Sequence, residues 1–318
     1  KPVQTYVAKR AAAYLSEELH TTVSISGLYF KPFKSLVLED LLVLDQQKDT
    51  LLNTPKFLVD INQFSLKQRI VDIQTIQVNN GAFYLKSYKD GATNVDFIIN
   101  YFKGSAAPEV KKKGKPWEID FNNIIINNLN FKYKNQKVDT VIKGVNFDDI
   151  ELRNLNGIFE GLNTTDHILQ TNIKNLNFQE KSGFHLKNLS AITTVDTNKI
   201  ELKNLLLLTN QSRLTDYYSM SFKKYSDFKD YFNKIRMKGN FKNSHLDSKD
   251  IAYFTSALKD MNLSLDLDGE VSGLVTNLRA KNLSIKAGKA TYIKGDFNLK
   301  GLPNIRETFM DLKIDMAG

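Results

Sequence analysis

The chain has no cysteine in 318 residues. This excludes disulfides and cysteine-based zinc sites but leaves the compartment open, because many envelope proteins also lack cysteine. Proline is scarce at six copies, and the lone Trp117 reads as a packing residue. None of His20, His167, His185 and His245 has another histidine or an acidic residue at a metal-ligand spacing. No stretch approaches the roughly 20 apolar residues of a membrane helix, and no signal peptide is visible. A nucleophile elbow, a P-loop and a dinucleotide fingerprint are all missing. Asp266-Leu267-Asp268-Gly269-Glu270 lacks the third acid and the closing Glu of a calcium loop, and reads as a turn at a strand end. No cofactor, no metal and no enzymatic role is expected.

What is present is an average globular composition, 42% hydrophobic and 25% charged, long enough for one large core or two domains. The formal net charge is +9, spread along the chain except for Lys111-Lys112-Lys113 with Lys115, which reads as a solvated loop. Aromatics interleave with basics in Phe30-Lys31-Pro32-Phe33-Lys34, but no RNA-recognition signature accompanies them, so nucleic acid is not expected as a partner.

Residues 2–20 read as an amphipathic helix. Val3, Val7, Tyr14 and Leu19 with the alanines mark its apolar side, opposite Lys9, Arg10, Glu17 and Glu18. That apolar side is expected to pack on protein. The chain opens abruptly on this helix, so an upstream segment is expected. After Thr21 the apolar residues alternate. Phe57, Val59 and Ile61 interleave with Leu58, Asp60 and Asn62; Met261, Leu263, Leu265 and Leu267 interleave with Asn262, Ser264, Asp266 and Asp268. This is the pattern of strands with one buried face, and about sixteen to twenty such strands are expected. Short helices are expected at Asn94–Phe102, around Tyr225, Phe228, Phe232 and Ile235, and around Ile251, Phe254 and Leu258, the last capped by Asp247 or Ser248. Residues 104–116 read as a flexible loop dividing an N-terminal module, 1–103, from a second segment, 117–318.

A Lys/Arg-Asn-Leu triplet occurs five times, centred on Asn154, Asn175, Asn188, Asn204 and Asn282, where chance gives about half a copy. The apolar row takes a step of three across it, from Ile173 to Leu176 and Phe178, and from Leu202 to Leu205 and Leu207. A strict strand would throw the second half of the row onto the wrong face. One extra residue, a β-bulge with Asn in a left-handed or bridge conformation, restores the phase. A turn at the Asn between two strands fits the same residues.

One long stretch is recognisable. Its features are strand 22–30, strand 36–45 ending in Asp45, Leu51-Leu52, Ile70–Val78, and the hairpin Asp90-Gly91-x-x-Asn94 with its short helix. This resembles the N-terminal module of the AsmA/TamB superfamily. The stretches DYYSMSFKKYSDFKDYF, SKDIAYF and LKGLPNIRETF resemble the large TamB-like members, without the terminal domain that distinguishes TamB. The last residues, DLKIDMAG, read as a strand, and a longer parent protein is expected. The resemblance implies an elongated, curled antiparallel β-groove with an apolar interior, anchored in the inner membrane of a Gram-negative envelope and crossing the periplasm. It implies phospholipid acyl chains as cargo, or outer-membrane protein assembly beside a barrel partner of the TamA/BamA type. The N-terminal helix would close the inner-membrane end.

Each CH₂ exposed to water costs about 0.8 kcal/mol, so a sixteen-carbon chain faces of order 10 kcal/mol that an apolar gutter removes without chemistry. Sixteen to twenty strands spaced about 4.8 Å apart would make a gutter of roughly 75–95 Å. The residues expected to line it are Phe57, Val59, Ile61, Ile173, Leu176, Phe178, Leu205, Leu207, Leu263, Leu265 and Leu267. A scaffold that pairs nascent barrel strands is the competing expectation. A β-solenoid enzyme would need clustered carboxylates that the chain does not show.

Overall fold

The computed structural model describes residues 2–31, 35–65, 67–68, 70–103, 118–139, 142–165, 167–288 and 291–318. The loop expected at 104–116, its lysine run and Trp117 lie outside these residues. The protein is mainly β: one large sheet of 17 mostly antiparallel strands, with an N-terminal helix and a few short helices. The chain divides into two compact units within that sheet. The first comprises 1–142, 146–160 and 178–181; the second comprises 143–145, 161–177 and 182–318.

The first unit opens with helix α1 (Pro2–Glu18). The stretch 22–30 forms two short strands, β1 (Val23–Ser24) and β2 (Gly27–Lys31), both paired with β3 (Ser35–Leu44). β3 pairs with β4 (Thr50–Ser65), and β4 with β5 (Ile70–Asn79) and β6 (Ala82–Ser87). β5 and β6 both run parallel to β7 (Glu118–Asn135), which pairs antiparallel with β8 (Asp149–Thr165). Helix α2 (Asp96–Lys103) lies between β6 and β7 in sequence, because a parallel return needs a crossover.

The side of α1 that packs on the sheet is only part of the expected one: Leu19 and the alanines pack, while Val7 and Tyr14 do not. Ala8, Ala12 and Leu19 are buried in a cluster with Val23, Ile25, Leu28 and Leu41, flanked by Ala11 and Leu15. Val7 and Tyr14 are 42% and 57% exposed. The buried stripe 8–12–15–19 follows helical spacing, and its small residues let the helix lie close to the strands. Ser16 fastens it: its hydroxyl donates to the carbonyl oxygens of Ala12 and Val23 and accepts from the Val23 N–H at 2.9 Å.

The second unit is an antiparallel meander. β9 (Ile168–Glu180), whose last residues belong to the first unit, is followed by β10 (His185–Val195), β11 (Lys199–Leu208), β12 (Arg213–Ser221), β13 (Arg236–Asp247), β14 (Ser264–Leu274), β15 (Asn277–Ala287), β16 (Thr291–Lys300) and β17 (Phe309–Ala317). Each strand from β10 onward pairs with the next. A 3₁₀ turn at Tyr225–Asp230 continues into helix α3 (Tyr231–Lys234), and α4 (Ser248–Ile251) is capped by Asp247, whose carboxylate accepts from the Lys249 N–H. Gly269 and its neighbours lie inside β14, not at a strand end as expected from the calcium-like stretch.

Four of the five triplet asparagines, Asn154, Asn175, Asn204 and Asn282, have φ between 52° and 54° or, for Asn282, 48°. The ladders skip them. Lys203 pairs with Tyr217 and Leu205 with Asp216, leaving Asn204 opposite nothing. Likewise Glu270 pairs with Lys281 but Asp268 with Ser284, so Gly269 faces two residues. A Cβ on Gly269 would sit 2.6 Å from the Asn282 carbonyl oxygen, which is why that strand carries glycine there. The fifth triplet is regular: Asn188 pairs with Leu208, and Leu189 with Leu207. Left-handed asparagines outside the triplet, Asn128 and Asn243, also sit at register shifts.

At four of the bulges the amide removed from the ladder finds a side chain on the neighbouring strand. The N–H of Asn128 donates to Asn156 Oδ1, that of Asn175 to Ser190 Oγ, that of Asn243 to an Asp268 carboxylate oxygen and that of Asn282 to Asp296 Oδ1. In two cases the residue two positions on closes the other side: the amides of Asn156 and Asn177 donate to the carbonyl oxygens of Asn154 and Asn175, both at 2.8 Å.

Candidate functional site

In the first unit, cross-strand pairing builds two apolar rows. One runs Leu36–Val59–Ile76–Ile124–Phe159, and the other Leu38–Phe57–Val78–Ile126. Ile61 stands opposite Ile73 beside them. The other face of the same strands carries Ser35, Asp60, Thr75 and Asn123 in one row and Val37, Leu58, Gln77, Ile125 and Ile158 in the next, so it is mixed rather than polar. β3 and β4 change phase together. Leu36 and Leu38 are followed on one face by Leu41 and Val43 through Asp40, φ 48°, and all pack in the α1 cluster with Leu52 and Phe57. That cluster, with Phe97, Ile98 and Tyr101 at α2, covers the Phe57 end of the rows. Beyond it the row residues are half-buried rather than buried. Every residue of β5 is half-buried, as are Val59, Ile61, Ile124, Ile126 and Phe159.

In the second unit, the pairing Leu205–Asp216–Phe241–Gly269 carries one face across four strands, and Leu267 and Leu265 follow Gly269 at two-residue steps. Leu207 stands between Leu189 and Leu214, and Leu267 between Ser244 and Ile285. The same face continues through Ala280, Leu283, Phe297 and Leu312. Here the level of the bulges is closed, with Leu205 at 4% and Leu283 at 5% exposure, while Leu207, Leu265 and Leu267 are half-buried. On β9, Ile173 is buried and Leu176 and Phe178 half-buried; Phe178 belongs to the first unit. Leu263 precedes β14 and is exposed, its N–H held by Ser248 Oγ. The structure thus groups Phe57, Val59 and Ile61 in one unit and Leu205, Leu207, Leu265 and Leu267 in the other, and leaves Leu263 outside the strand row.

Near Tyr218 the face is capped by aromatics. Tyr218 stacks with Phe241 and its hydroxyl meets that of Tyr231 at 2.5 Å, and Phe228 lies against both Phe222 and Tyr231. Burial raises the Tyr218 hydroxyl well above its ordinary range, so it stays a neutral donor. A hollow of about 770 Å³ also exists in this unit, bordered by Lys238, Glu270, Arg279, Lys281, Asn298 and Lys300; none of the eleven expected lining residues borders it.

Two polar groupings escaped the sequence because their members are far apart in the chain. The first is fully structural. Asp45 is buried and accepts from the backbone N–H groups of Gln47 and Asp49, from Asn94 Nδ2 and from Lys86 Nζ. Burial pushes its carboxyl up, but these donors outweigh it and hold the group below the usual carboxylate range. The second joins Ser264 Oγ to His245 Nε2 at 3.1 Å and His245 Nδ1 to Asp266 at 2.7 Å. His245 pairs directly with Asp266 across the strands, and Ser264 lies two residues away on the same face, so strand pairing alone brings the three together on a solvent-accessible surface. Among the described residues no cluster of three or more His, Asp or Glu is placed to hold a metal ion, and no helix is long and apolar enough to cross a membrane.

No protein-family model matches this chain, and no curated protein matches it.

Proposed function

We propose that the chain is a non-enzymatic envelope module that carries phospholipid acyl chains along its apolar sheet face, in the periplasm between the inner and outer membranes. The observation that carries this reading is the half-buried row of the first unit. In a sealed sandwich the inner residues of a central strand are buried against a second layer; in β5 every residue is half-buried, although Ile73, Ile76 and Val78 share one face. An apolar row that stays half-buried across four strands, Val59–Ile76–Ile124–Phe159, is a surface that acyl chains fit. In the second unit the same kind of face runs from β11 to β17, about 29 Å at 4.8 Å per strand, close to the roughly 30 Å hydrocarbon thickness of a bilayer. The resemblance to the AsmA/TamB superfamily supplies the compartment and the cargo class.

The test is photocrosslinking in Gram-negative cells from Val59, Leu207 and Leu265, read by mass spectrometry for lipid adducts, with an envelope-integrity assay of Leu207→Asp/Leu265→Asp. Lipid adducts, and a folded double variant with a leaky envelope, are expected. Peptide adducts instead of lipid would favour a scaffold for outer-membrane barrel strands; no adducts with a normal envelope would end the groove reading.

A further inference from the structure

We infer that the hollow of the second unit is a binding site for a zwitterionic phosphodiester, a phosphoryl group that carries a short ammonium arm. Its volume of about 770 Å³ lies within the range of small-molecule sites, roughly 300–1,000 Å³. Arg279 stands in its middle. Strand alternation turns Arg279 away from the face of Leu278 and Ala280, so the hollow opens on the side opposite the apolar rows.

The two halves of the hollow differ in charge. Across the ladders one row runs Lys238–Ser272–Arg279–Asn298–Asp311, and the next runs Asn277–Lys300–Phe309. No carboxylate stands directly opposite Lys238, Arg279 or Lys300, and Asp311 at the rim takes a hydrogen bond from Asn298 Nδ2 at 3.3 Å. None of the three cations makes an ion pair or hydrogen bond among the described residues, whereas Lys86, Lys134, Lys181 and Lys199 each hold a carboxylate. A guanidinium and two ammonium groups beside Ser272 and Asn277 are donors without an internal acceptor, the set that a phosphoryl group takes. The other half lies one two-residue step along the strands, about 6.7 Å. There Glu270 stands opposite Lys281 without an ion pair, and Asp296 accepts the Asn282 N–H at 2.8 Å, so two carboxylates meet one lysine.

These charges choose the occupant. A simple anion would be repelled by Glu270 and Asp296, and a simple cation by Lys238, Arg279 and Lys300. A ligand of both signs, with its phosphoryl group toward Arg279 and its ammonium toward Glu270, is complementary to both halves. The inference is independent of what the apolar rows carry, since it uses only the opposite face.

The test is calorimetric titration of the full 318-residue chain with glycerophosphoethanolamine, inorganic phosphate and ethanolamine. The zwitterion is expected to bind several-fold more tightly than either simple ion, and less tightly as salt is added. Arg279→Gln should weaken it about ten-fold. Glu270→Gln should weaken the zwitterion several-fold yet strengthen inorganic phosphate, a change of opposite sign that a merely structural role would not give. Both side chains are exposed and without a partner among the described residues, so thermal melting should not move. Co-sedimentation with phosphatidylglycerol vesicles, with and without phosphatidylethanolamine, identifies the source. Binding that phosphatidylethanolamine adds and glycerophosphoethanolamine displaces supports the inference with a lipid headgroup as ligand; binding of the soluble probe alone supports it with a free phosphodiester. No binding in either format would overturn it, as would binding that Arg279→Gln leaves unchanged or a loss of both zwitterion and phosphate in Glu270→Gln.

Discussion

The two units use one sheet in different ways. In the first, strands are joined by both antiparallel and parallel pairing, the ladders slip at several points, and the apolar rows stay half-buried beyond a helical plug. In the second, every strand from β10 pairs with its sequence neighbour, every other strand carries a bulged Asn, and the residues after Asn204, Asn243 and Asn282, namely Leu205, Ser244 and Leu283, are buried, while Leu176 after Asn175 is half-buried. The difference teaches what the bulge does. Where it recurs, the chain is drawn together at one level and the face closes there. Where the ladder slips without a left-handed Asn, as between β4 and β5 from Asp60 to Gln63, the face stays half-buried.

The comparison can be broken at its strongest point first. Asp45→Asn removes the charge that Lys86, Asn94 and two backbone amides share, and is expected to cost about 3 kcal/mol. Hydrogen exchange should show the loss in the first unit and leave β11–β16 protected. Uniform loss across both units would show that they do not differ in this way.

Core truncation sharpens the contrast between closed and half-buried rows. Leu283→Ala is expected to cost about 2–3 kcal/mol, as for a buried leucine, whereas Ile76→Ala, half-buried already, should cost about 1 kcal/mol. Equal losses in chemical denaturation would mean that the first unit's row is covered in solution.

The bulges themselves are next. Asn282→Val forces a β-branched residue to φ near 48° and is expected to cost about 1–2 kcal/mol. Asn188→Val, in the same triplet but a regular ladder, should lose less than half of that, through its hydrogen bond to the Leu206 carbonyl. If the two cost the same, the triplet and not the backbone conformation is what matters.

The smallest effect is electrostatic. Lys199 and Tyr217 hydrogen-bond Glu201 and hold its carboxyl at about 2, below its ordinary 4.5. A depressed acid stabilises the fold fully above its unfolded value, so this contribution should be complete above pH 4.5 and fade as pH falls toward 2. Glu201→Gln should flatten that part of the stability-versus-pH curve. An unchanged slope would show that the pair persists on unfolding or is screened away.

Much of this was legible in residue order. Alternation gave the strands because one face of a sheet is apolar, while the three-residue steps at Asn175 and Asn204 left a bulge or a turn open, and the fold chose the left-handed conformation that Asn tolerates. Asn188 shows the limit: the triplet permits a bulge, but the neighbouring strands decide whether one forms. Asn128 and Asn243 show the converse, since only the asparagine is needed. The packing side of α1 was partly misread because Val7 and Tyr14 outrank alanine in hydrophobicity, whereas close approach to a sheet favours Ala8 and Ala12. The parallel return of β7 onto β5 and the meeting of Asp45 with Asn94 depend on which strands become neighbours, and no local pattern encodes that. The lining rows were half-legible: the alternating residues were readable, but Leu263 fell before its strand and the half-burial of β5 required the fold.

Asn204, Asn243 and Asn282 follow one another at equal intervals (243 − 204 = 282 − 243 = 39). Each interval contains two strand crossings and one short helical insert, Tyr225–Lys234 in the first and Ser248–Leu258 in the second. The meander is therefore counted in units, and each unit adds about 10 Å of apolar face. Deleting or duplicating one whole interval would return the next strand to the same face with its bulge in place, whereas a change of one strand would leave a bulge opposite a bulge. Reach in such a protein can change only in steps of about 10 Å, so a ruler built this way has marks but no fractions.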